Sequence, residues 1–349
     1  AGRQADETSI NPGQQKQRQQ QRRNSPSSKI VQIMSPSSTT STTSGSSDSP
    51  SFEASTTTLI VGRTKDDVKT ELCQTVARIS KQAIQARHKF VVALSGGSLP
   101  SMLDGLVALN EEGSESAEEG SESKSAEDGR LQFGKWWILL ADERVVPLNS
   151  PDSNLGSIHK HFLSKVNIPP SQIIGINQSL LQQANDNTNS DDVATSLVAD
   201  DYETQLKTTN VLGDDQAGDN GKIDLALLGF GPDGHTCSLF PGHALLTEKS
   251  SSRLVAPIMD SPKLPPHRIT LTLKALDASH TRNIVVCGTG TSKYPIIKDV
   301  FDGGSLNVEV EEEKNTKKKQ DASNAVADVP AIQYYTNVRM VPLSKTTYP

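Results

Sequence analysis

The chain has 349 residues, of which 34% are apolar and only 4% aromatic, and its formal net charge is −6. This composition is typical of a soluble protein that contains long polar segments. The longest apolar run, Trp136–Ala141, is far shorter than the ~20 residues that cross a bilayer, so a membrane span is excluded. The three cysteines are widely spaced, which favours neither a disulfide framework nor a cysteine-based zinc site.

Four segments of the chain are too polar to bury a core. The first covers residues 1–57 and is rich in Gln, Ser and Thr, and the others are low-complexity insertions at 111–128, 213–221 and 303–325. We therefore predict a disordered N-terminal extension over 1–57 and one α/β domain over 58–349 that contains these insertions.

The N-terminal extension also bears on the cellular compartment. Between Thr8 and Ser47 it contains basic residues and many serines and threonines but no acidic residue. This is the composition of a transit peptide and equally of a plain hydrophilic extension. We expect a cytoplasmic protein, with a plastid or another organelle as the alternative in which the extension is the targeting segment.

The rest of the chain alternates between strand and helix patterns. Apolar residues recur at helical spacing from Val68 to Ala83, which predicts a first helix with Thr64 and Asp67 as its capping pair. The alternation beyond it predicts an α/β fold with a doubly wound, mostly parallel sheet and helices on both faces. Further helices are predicted after Pro100, near 155–166, over about 191–208 and after Thr291. Strands are predicted at 89–94, 136–141, 172–176, 223–228, 254–258, 268–273, 284–287 and near 333–341.

Polar loops follow three of these strands, at the sheet edge where open α/β folds bind ligands. The first loop contains Ser95, Gly96, Gly97 and Ser98 and leads into a helix. Exposed backbone N–H groups and the helix dipole would favour an anion such as phosphate there. The same residues would also suit a plain tight turn in which Ser98 caps the helix.

The second loop starts with Asp142, Glu143 and Arg144 and continues to Asn154. Charges at the end of a buried strand are costly unless they are paired or used. In a functional interpretation Arg144 holds a carbonyl or hydroxyl of a polar substrate. In a structural interpretation one of the carboxylates pairs with Arg144, and Asn154 caps the next helix.

The third loop, residues 229–241, is the most informative. Asp233 stands two residues before His235 within a glycine-rich turn, so its carboxylate can orient the imidazole as a general base. Metal binding is the competing interpretation, but the chain has no HExxH motif, and His159 and His161 diverge on a predicted helix. We therefore predict a site without a metal.

Several motifs together resemble the 6-phosphogluconolactonases of the glucosamine-6-phosphate isomerase/6-phosphogluconolactonase family. They are SGGS, ADERVVP followed by DSN, GFGPDGHTCSLFP, PHRITLTLKAL and GTGTSK, and they stand in the family's order. The resemblance implies a Rossmann-like α/β fold shared with glucosamine-6-phosphate deaminases and ribose-5-phosphate isomerases. It also implies hydrolysis of 6-phospho-D-glucono-1,5-lactone to 6-phospho-D-gluconate, in the oxidative pentose phosphate pathway, without a metal or organic cofactor.

The resemblance also implies roles for individual residues. His235 is similar to the family's proposed general base and Asp233 to its partner, while Arg144 and Asn154 resemble residues of the substrate pocket. The SGGS loop is similar to the family's phosphate loop, and Arg268 and Lys293 resemble the groups that hold the 6-phosphate. In this mechanism His235 activates a water, and Arg144 or backbone N–H groups stabilise the oxyanion.

Two other functions remain open from the sequence. A sugar-phosphate deaminase or isomerase would share the fold, but the deaminase pattern has a carboxylate where Ser238–Pro241 has none. A non-catalytic sugar-phosphate sensor would keep the phosphate groups without needing His235. The expected partner is a small sugar-phosphate lactone, bound by a monomer or weak homodimer. Neither nucleic acid nor a membrane is expected as a partner, because basic and aromatic residues are not concentrated together.

Overall fold

The computed structural model describes residues 28–34, 56–62, 64–115, 130–183, 191–213, 221–246, 252–293, 295–297 and 331–336. The insertion at 303–325 and most of those at 111–128 and 213–221 lie outside the described residues. The division of the chain into extension, domain and insertions therefore stays a prediction.

The described residues form ten strands and five α-helices whose bounds are defined, and residues 295–297 are helical as well. The strands are β1 (Ser28–Met34), β2 (Thr56–Gly62), β3 (Phe90–Leu94), β4 (Trp136–Leu140), β5 (Asp142–Arg144), β6 (Leu225–Leu228), β7 (Val255–Ile258), β8 (Arg268–Leu271), β9 (Ile284–Gly288) and β10 (Ala331–Thr336). The helices are α1 (Lys65–Arg87), α2 (Asp104–Glu115), α3 (Asn154–His161), α4 (Gln178–Gln183) and α5 (Asp191–Thr208). None of these helices is both long and apolar enough to cross a membrane.

Seven strands form the main sheet in the order β1-β2-β10-β9-β6-β3-β4. The four strands from β9 to β4 are parallel, whereas β10, β2 and β1 continue the sheet in antiparallel pairing. The remaining strands form a small antiparallel sheet in the order β5-β8-β7. The predicted α/β class with a parallel central sheet is confirmed, and the sequence had not separated the small sheet from the large one.

The parallel strands are the centre of the core. Every residue of β3 and β6 is buried, as their continuous apolar sequences require for strands that are covered on both faces. Helix α1 begins at the predicted capping box, in which Thr64 and Asp67 exchange hydrogen bonds with each other's backbone. Its predicted apolar stripe is buried, and the helix contacts β2, β3 and β10.

Several predictions differ from the structure, among them the helix expected after Thr291, which begins with a 3-10 turn at Thr291–Lys293. Residues 172–176 form no regular strand and contribute one bridge, from Ile173 to Ile138 of β4, because the 3-10 turn Pro170–Gln172 extends into this run. The helix after Pro100 opens with a short 3-10 turn, and α2 follows it. Residues 28–34, predicted as disordered, form β1 and pair with β2.

Candidate active site

An open cleft lies where the predicted loops meet, beside the ends of β3, β6 and β9. Its volume is about 490 Å³, including open solvent at the mouth. The cleft brings together all the predicted site residues except Asp233, and it adds four others. Its lining consists of Ser95, Gly96, Gly97, Ser98, Asp142, Arg144, Asn154, Gly229, Phe230, His235, Cys237, Arg268 and Lys293.

Asp233 contacts the cleft through His235. Nδ1 of His235 and Oδ1 of Asp233 are 2.5 Å apart, which is a short hydrogen bond. Nζ of Lys263 lies 3.1 Å from the same Nδ1 and 3.0 Å from Oδ2 of Asp233.

These contacts set the protonation of the pair. Burial lowers the pKa of His235, and the Asp233 carboxylate offsets only part of this shift. Burial acts to raise the pKa of Asp233, but hydrogen bonds from His235 and Lys263 outweigh it, so the pKa of Asp233 is lowered. The site therefore favours a neutral imidazole beside an ionised carboxylate.

The turn that carries His235 is held by its own backbone. The N–H of Gly231 donates to the carbonyl of His235 at 2.8 Å, and the N–H of Gly234 donates to the carbonyl of Gly231 at 3.0 Å. Gly234 has a φ of +84°, a conformation that glycine adopts without steric cost. Phe240 packs against the imidazole with ring centroids 4.8 Å apart. This local geometry explains why the GPDGH sequence can fix the position of one imidazole.

The Ser95–Ser98 loop enters the cleft directly after β3. Its first N–H donates to the carbonyl of Leu227 on β6 at 3.1 Å, which ties the loop to the neighbouring strand. Gly97 has a φ of +70°, and a Cβ on Gly96 would collide with the side-chain amide of Asn154. Both glycines are therefore needed for this close approach of the two loops.

The alternative interpretation of this loop, in which Ser98 caps a helix, differs from the structure. The first helical turn is Pro100–Met102, its N-cap residue is Leu99, and no side chain caps it. The polar groups of Ser95–Ser98 lie in the cleft lining instead.

Glu143 organises the second loop. Its buried carboxylate accepts hydrogen bonds from the backbone N–H groups of Arg144, Asn154 and Leu155 at 2.7–2.8 Å. Burial raises the pKa of Glu143, and these three N–H donors oppose that shift. Ser153, rather than the predicted Asn154, is the N-cap residue of α3. Glu143 thus fixes the backbone on which Arg144 and Asn154 reach the cleft.

Asp142 is a second buried carboxylate, and it lines the cleft. Its Oδ2 accepts a hydrogen bond from the hydroxyl of Ser238 at 3.0 Å, and its carbonyl accepts one from the amide of Asn154 at 2.8 Å. Burial raises the pKa of Asp142, whereas the charge of Arg144 and the hydrogen bond from Ser238 lower it. The Ser238 hydroxyl is therefore occupied as a donor to Asp142.

Two arginines of the small sheet lie opposite each other, because Arg144 on β5 is in register with Arg268 on β8. Nη1 of Arg144 donates to the carbonyl of Asp152 at 2.6 Å, while its buried Nε has no hydrogen-bond partner within the described ranges. Among those residues, no ion pair joins Arg144 to Asp142 or Glu143. The structural interpretation of this loop, in which one of the two carboxylates pairs with Arg144, therefore differs from the structure.

Arg268 is almost fully buried, at 3% exposure. Its Nε and Nη2 donate to the backbone carbonyls of residues 263–265 at 2.9–3.1 Å. Burial and the nearby charge of Arg144 lower the pKa of Arg268. Because like charges on paired strands repel each other, an anion bound between the two guanidinium groups would relieve the repulsion.

Lys293 adds a third cation from the end of β9. Its Nζ lies 4.6 Å from the ring centroid of Phe230, a cation–π contact. Burial lowers the pKa of Lys293. A Cβ at residue 288 would collide with the Phe230 ring, so Gly288 makes room for this packing.

Sequence reasoning missed Lys263, Phe230 and the use of Asp142 as a cleft residue. Lys263 stands five residues before Arg268 in a proline-rich stretch, and only the folded turn brings its ammonium to His235. Phe230 directly precedes the GPDGH turn, but no spacing rule marks an aromatic residue as a platform for a distant lysine.

Cys237 also lines the cleft, and it has a left-handed backbone conformation with a φ of +52°. Burial raises the pKa of its thiol, and a protonated thiol is a poor nucleophile.

In the part of the chain that the structure describes, no group of three or more His, Cys, Asp or Glu side chains could hold a metal ion.

Fold and cleft define an α/β protein with a cationic site beside a histidine–aspartate pair at the ends of parallel strands. Residues 63–316 match the model of a protein family described as glucosamine-6-phosphate isomerases/6-phosphogluconolactonase. The chain belongs to this family.

Individual relatives support the same assignment. The chain is 37% identical to 6-phosphogluconolactonase 3, chloroplastic, of Arabidopsis thaliana over 66% of its own length and 62% of that protein. It is 36% identical to the 6-phosphogluconolactonase of Rattus norvegicus over 66% of its length and 76% of that protein. A crystal structure of 6-phosphogluconolactonase from Leishmania guyanensis matches with a TM-score of 0.50 and 27% identity, covering 67% of this chain and 83% of that one. The chain thus spans less than two thirds of the plant relative.

Proposed function

We propose that this protein hydrolyses 6-phospho-D-glucono-1,5-lactone to 6-phospho-D-gluconate, the second step of the oxidative pentose phosphate pathway. The observation that carries the proposal is the His235–Asp233 pair, joined at 2.5 Å, at a cleft that also contains three cationic side chains. Membership of the family and the names of the curated relatives support the same substrate.

The general base in this mechanism is His235. A carboxylate only accepts hydrogen bonds, so Nδ1 of His235 carries the proton that is shared with Asp233, and Nε2 is left as the proton acceptor. His235 removes a proton from water as the water oxygen attacks C1 of the lactone. When the ring C–O bond breaks, the imidazolium returns that proton to the ring oxygen, and Asp233 stabilises the charge in between.

The three cationic side chains of the cleft have two different roles in this proposal. Arg144, whose buried Nε has no partner in the described part of the chain, stabilises the developing oxyanion together with nearby backbone N–H groups. The Ser95–Ser98 loop, Arg268 and Lys293 bind the 6-phosphate, and Asn154 contacts the sugar. None of these steps uses a metal or an organic cofactor.

The test compares two reactions on one protein preparation. Lactone hydrolysis is followed by a coupled assay above the spontaneous rate, and ammonia release from glucosamine-6-phosphate is followed in parallel. We expect hydrolysis only, with kcat lowered by roughly 10²- to 10⁴-fold in His235→Asn and substrate still bound. Ammonia release instead would identify a deaminase, and ligand binding without turnover would identify a sensor.

The compartment and the assembly stay predictions. The family match begins at residue 63, so it does not cover the N-terminal extension. The relative named chloroplastic supports the plastid alternative, whereas the rat relative carries no such word in its name. The assay above is independent of both questions.

A further inference from the structure

Lys263 is a charged side chain next to the His235–Asp233 pair, and the proposed mechanism does not use it. Its Nζ lies 3.1 Å from Nδ1 of His235 and 3.0 Å and 3.1 Å from the two carboxylate oxygens of Asp233. It is 40% exposed, so it reaches the pair from the solvent side.

In the contact between Lys263 and His235, both the ammonium and the Nδ1–H group are hydrogen-bond donors. Nδ1 of His235 carries a hydrogen because it lies 2.5 Å from a carboxylate oxygen, and the ammonium of Lys263 has no acceptor to offer. The Lys263 ammonium is therefore attracted to the Asp233 carboxylate, and its positive charge lies next to the imidazole of His235. A positive charge at this distance favours the neutral ring and opposes the imidazolium.

Lys263 is held in this place by the fold. Nη2 of Arg268 donates to the carbonyl of Lys263 at 2.9 Å, and the hydroxyl of Ser261 donates to the same carbonyl at 2.8 Å. The N–H of Lys263 in turn donates to the Ser261 hydroxyl at 3.2 Å. The residue thus has a fixed backbone, and the buried arginine of the cleft is part of what fixes it.

We propose that Lys263 is a positioning residue of the active site, which aligns Asp233 with His235 and keeps the imidazole neutral and ready to accept a proton. This inference rests on the proposed function, in which His235 is the general base. Lys263 acts through its two neighbours and does not itself touch the substrate.

Other charges act on the same imidazole. Asp233 on its own turn and Asp142 on β5 both favour the charged ring, and Lys263 opposes them. Arg144 and Arg268 lie in the same cleft and carry charge of the same sign as Lys263. When Lys263 is removed, the two carboxylates still favour the charged ring and one of the positive charges that opposed them is gone. The imidazole should therefore gain its proton at a higher pH.

The first measurement is the pH profile of kcat/KM for lactone hydrolysis in the full chain. Activity requires the neutral imidazole, so it falls as the pH drops through the titration of His235. In Lys263→Met this acidic limb should move up by roughly 0.5–1 pH unit. Lys263→Arg keeps the charge and should leave the limb at its wild-type position. Lys65→Met removes an equal charge from the exposed start of α1 and should also leave it in place.

The second measurement does not depend on turnover. NMR titration of the His235 ring, with its signal assigned by its absence in His235→Asn, should show the same upward shift in Lys263→Met. An unshifted ring, or an equal shift in Lys263→Arg, would overturn the proposal, as would a uniform loss of activity at all pH values. If Lys263→Met does not fold, Lys263→Gln replaces it. Full activity in His235→Asn would instead refute the proposed function, while the NMR comparison still reports on Lys263.

Discussion

At the scale of single residues, Gly231 is the tightest constraint on the proposed base. A Cβ at this position would collide with the imidazole of His235 and with Oδ1 of Asp233. Gly231→Ala should therefore displace the imidazole and lower kcat/KM on the order of 10²-fold, because catalytic geometry tolerates little movement. The measurement is steady-state kinetics together with the melting temperature.

The matched control for this variant is Gly134→Ala. A Cβ there has no neighbour within 4 Å, and the residue lies outside the cleft lining. It should leave both kcat/KM and the melting temperature nearly unchanged. Near wild-type kcat in Gly231→Ala would mean that the position of the imidazole does not limit the reaction.

The same residues show how far the sequence predicts a site. His235 and Asp233 stand in one turn, so their spacing alone predicts a contact, and the structure has that contact. Lys263 reaches His235 from 28 residues away, and Ser238 reaches Asp142 across 96 residues. Such contacts depend on how separate loops fold over each other, which no local spacing in one sequence encodes.

At the scale of elements, the loop between β5 and α3 depends on one carboxylate. Glu143 accepts three backbone N–H groups and is 1% exposed. Glu143→Gln keeps the size but replaces one acceptor oxygen with a donor, so at least one N–H group loses its partner. We expect a loss of about 2–3 kcal/mol in the free energy of unfolding, measured with urea. We also expect a higher KM, because Arg144 and Asn154 lie on this loop.

Glu71→Gln on α1 is the control for the loss of one carboxylate. Its side chain is only half-buried, and the substitution should change the free energy of unfolding by less than ~0.5 kcal/mol. Equal stability of both variants would show that Glu143 does not hold the loop.

Elements were predictable where local pattern and burial agree. The apolar stripe of α1 and the continuous apolar runs of β3 and β6 match elements that the structure contains. The run at 172–176 has the same composition as a strand, yet it makes a single bridge to β4. The sequence of β8 likewise looks like a strand of the main sheet, but it pairs with β5 and β7. Sheet membership is decided by tertiary packing, so composition alone does not reveal it.

At the scale of the whole molecule, the local charge of the cleft has the opposite sign to the net charge of the chain. The chain has a formal net charge of −6, yet Arg144, Arg268 and Lys293 face one cleft. A local cationic field of this kind attracts an anionic substrate in spite of the overall charge. Lys293→Met should therefore cost roughly 1.5–3 kcal/mol in kcat/KM for the phosphorylated lactone. The unphosphorylated lactone should be a poor substrate and almost indifferent to the change.

Lys293 is better suited to this test than Arg268. Arg268 also holds the carbonyls of residues 263–265, so its removal would disturb Lys263 as well as any phosphate contact. Lys65→Met is again the control for the charge alone. Equal losses on both lactones in Lys293→Met would assign the lysine to the sugar ring or to the packing of Phe230, and the phosphate role would be abandoned.

The sheet order separates the N-terminal strand from the cleft. Among the described strands, β1 lies at one edge of the sheet and pairs with β2 alone, while the cleft is formed beside β3, β6 and β9 and by the small sheet. The family match, which begins at residue 63, also excludes β1. Two truncations follow from this arrangement: removal of residues 1–27 keeps β1, and removal of residues 1–55 takes it away.

Both truncated proteins should hydrolyse the lactone with kcat close to that of the full chain, because neither loses a cleft residue. They should differ in stability. Without β1, the backbone edge of β2 is left unpaired, which should lower the melting temperature by roughly 2–4 °C and promote aggregation. Calorimetry and light scattering on the two proteins measure this difference directly. Identical melting temperatures would mean that β1 adds nothing to the sheet, and a lower kcat in the folded shorter protein would mean that the N-terminal segment contributes to the cleft.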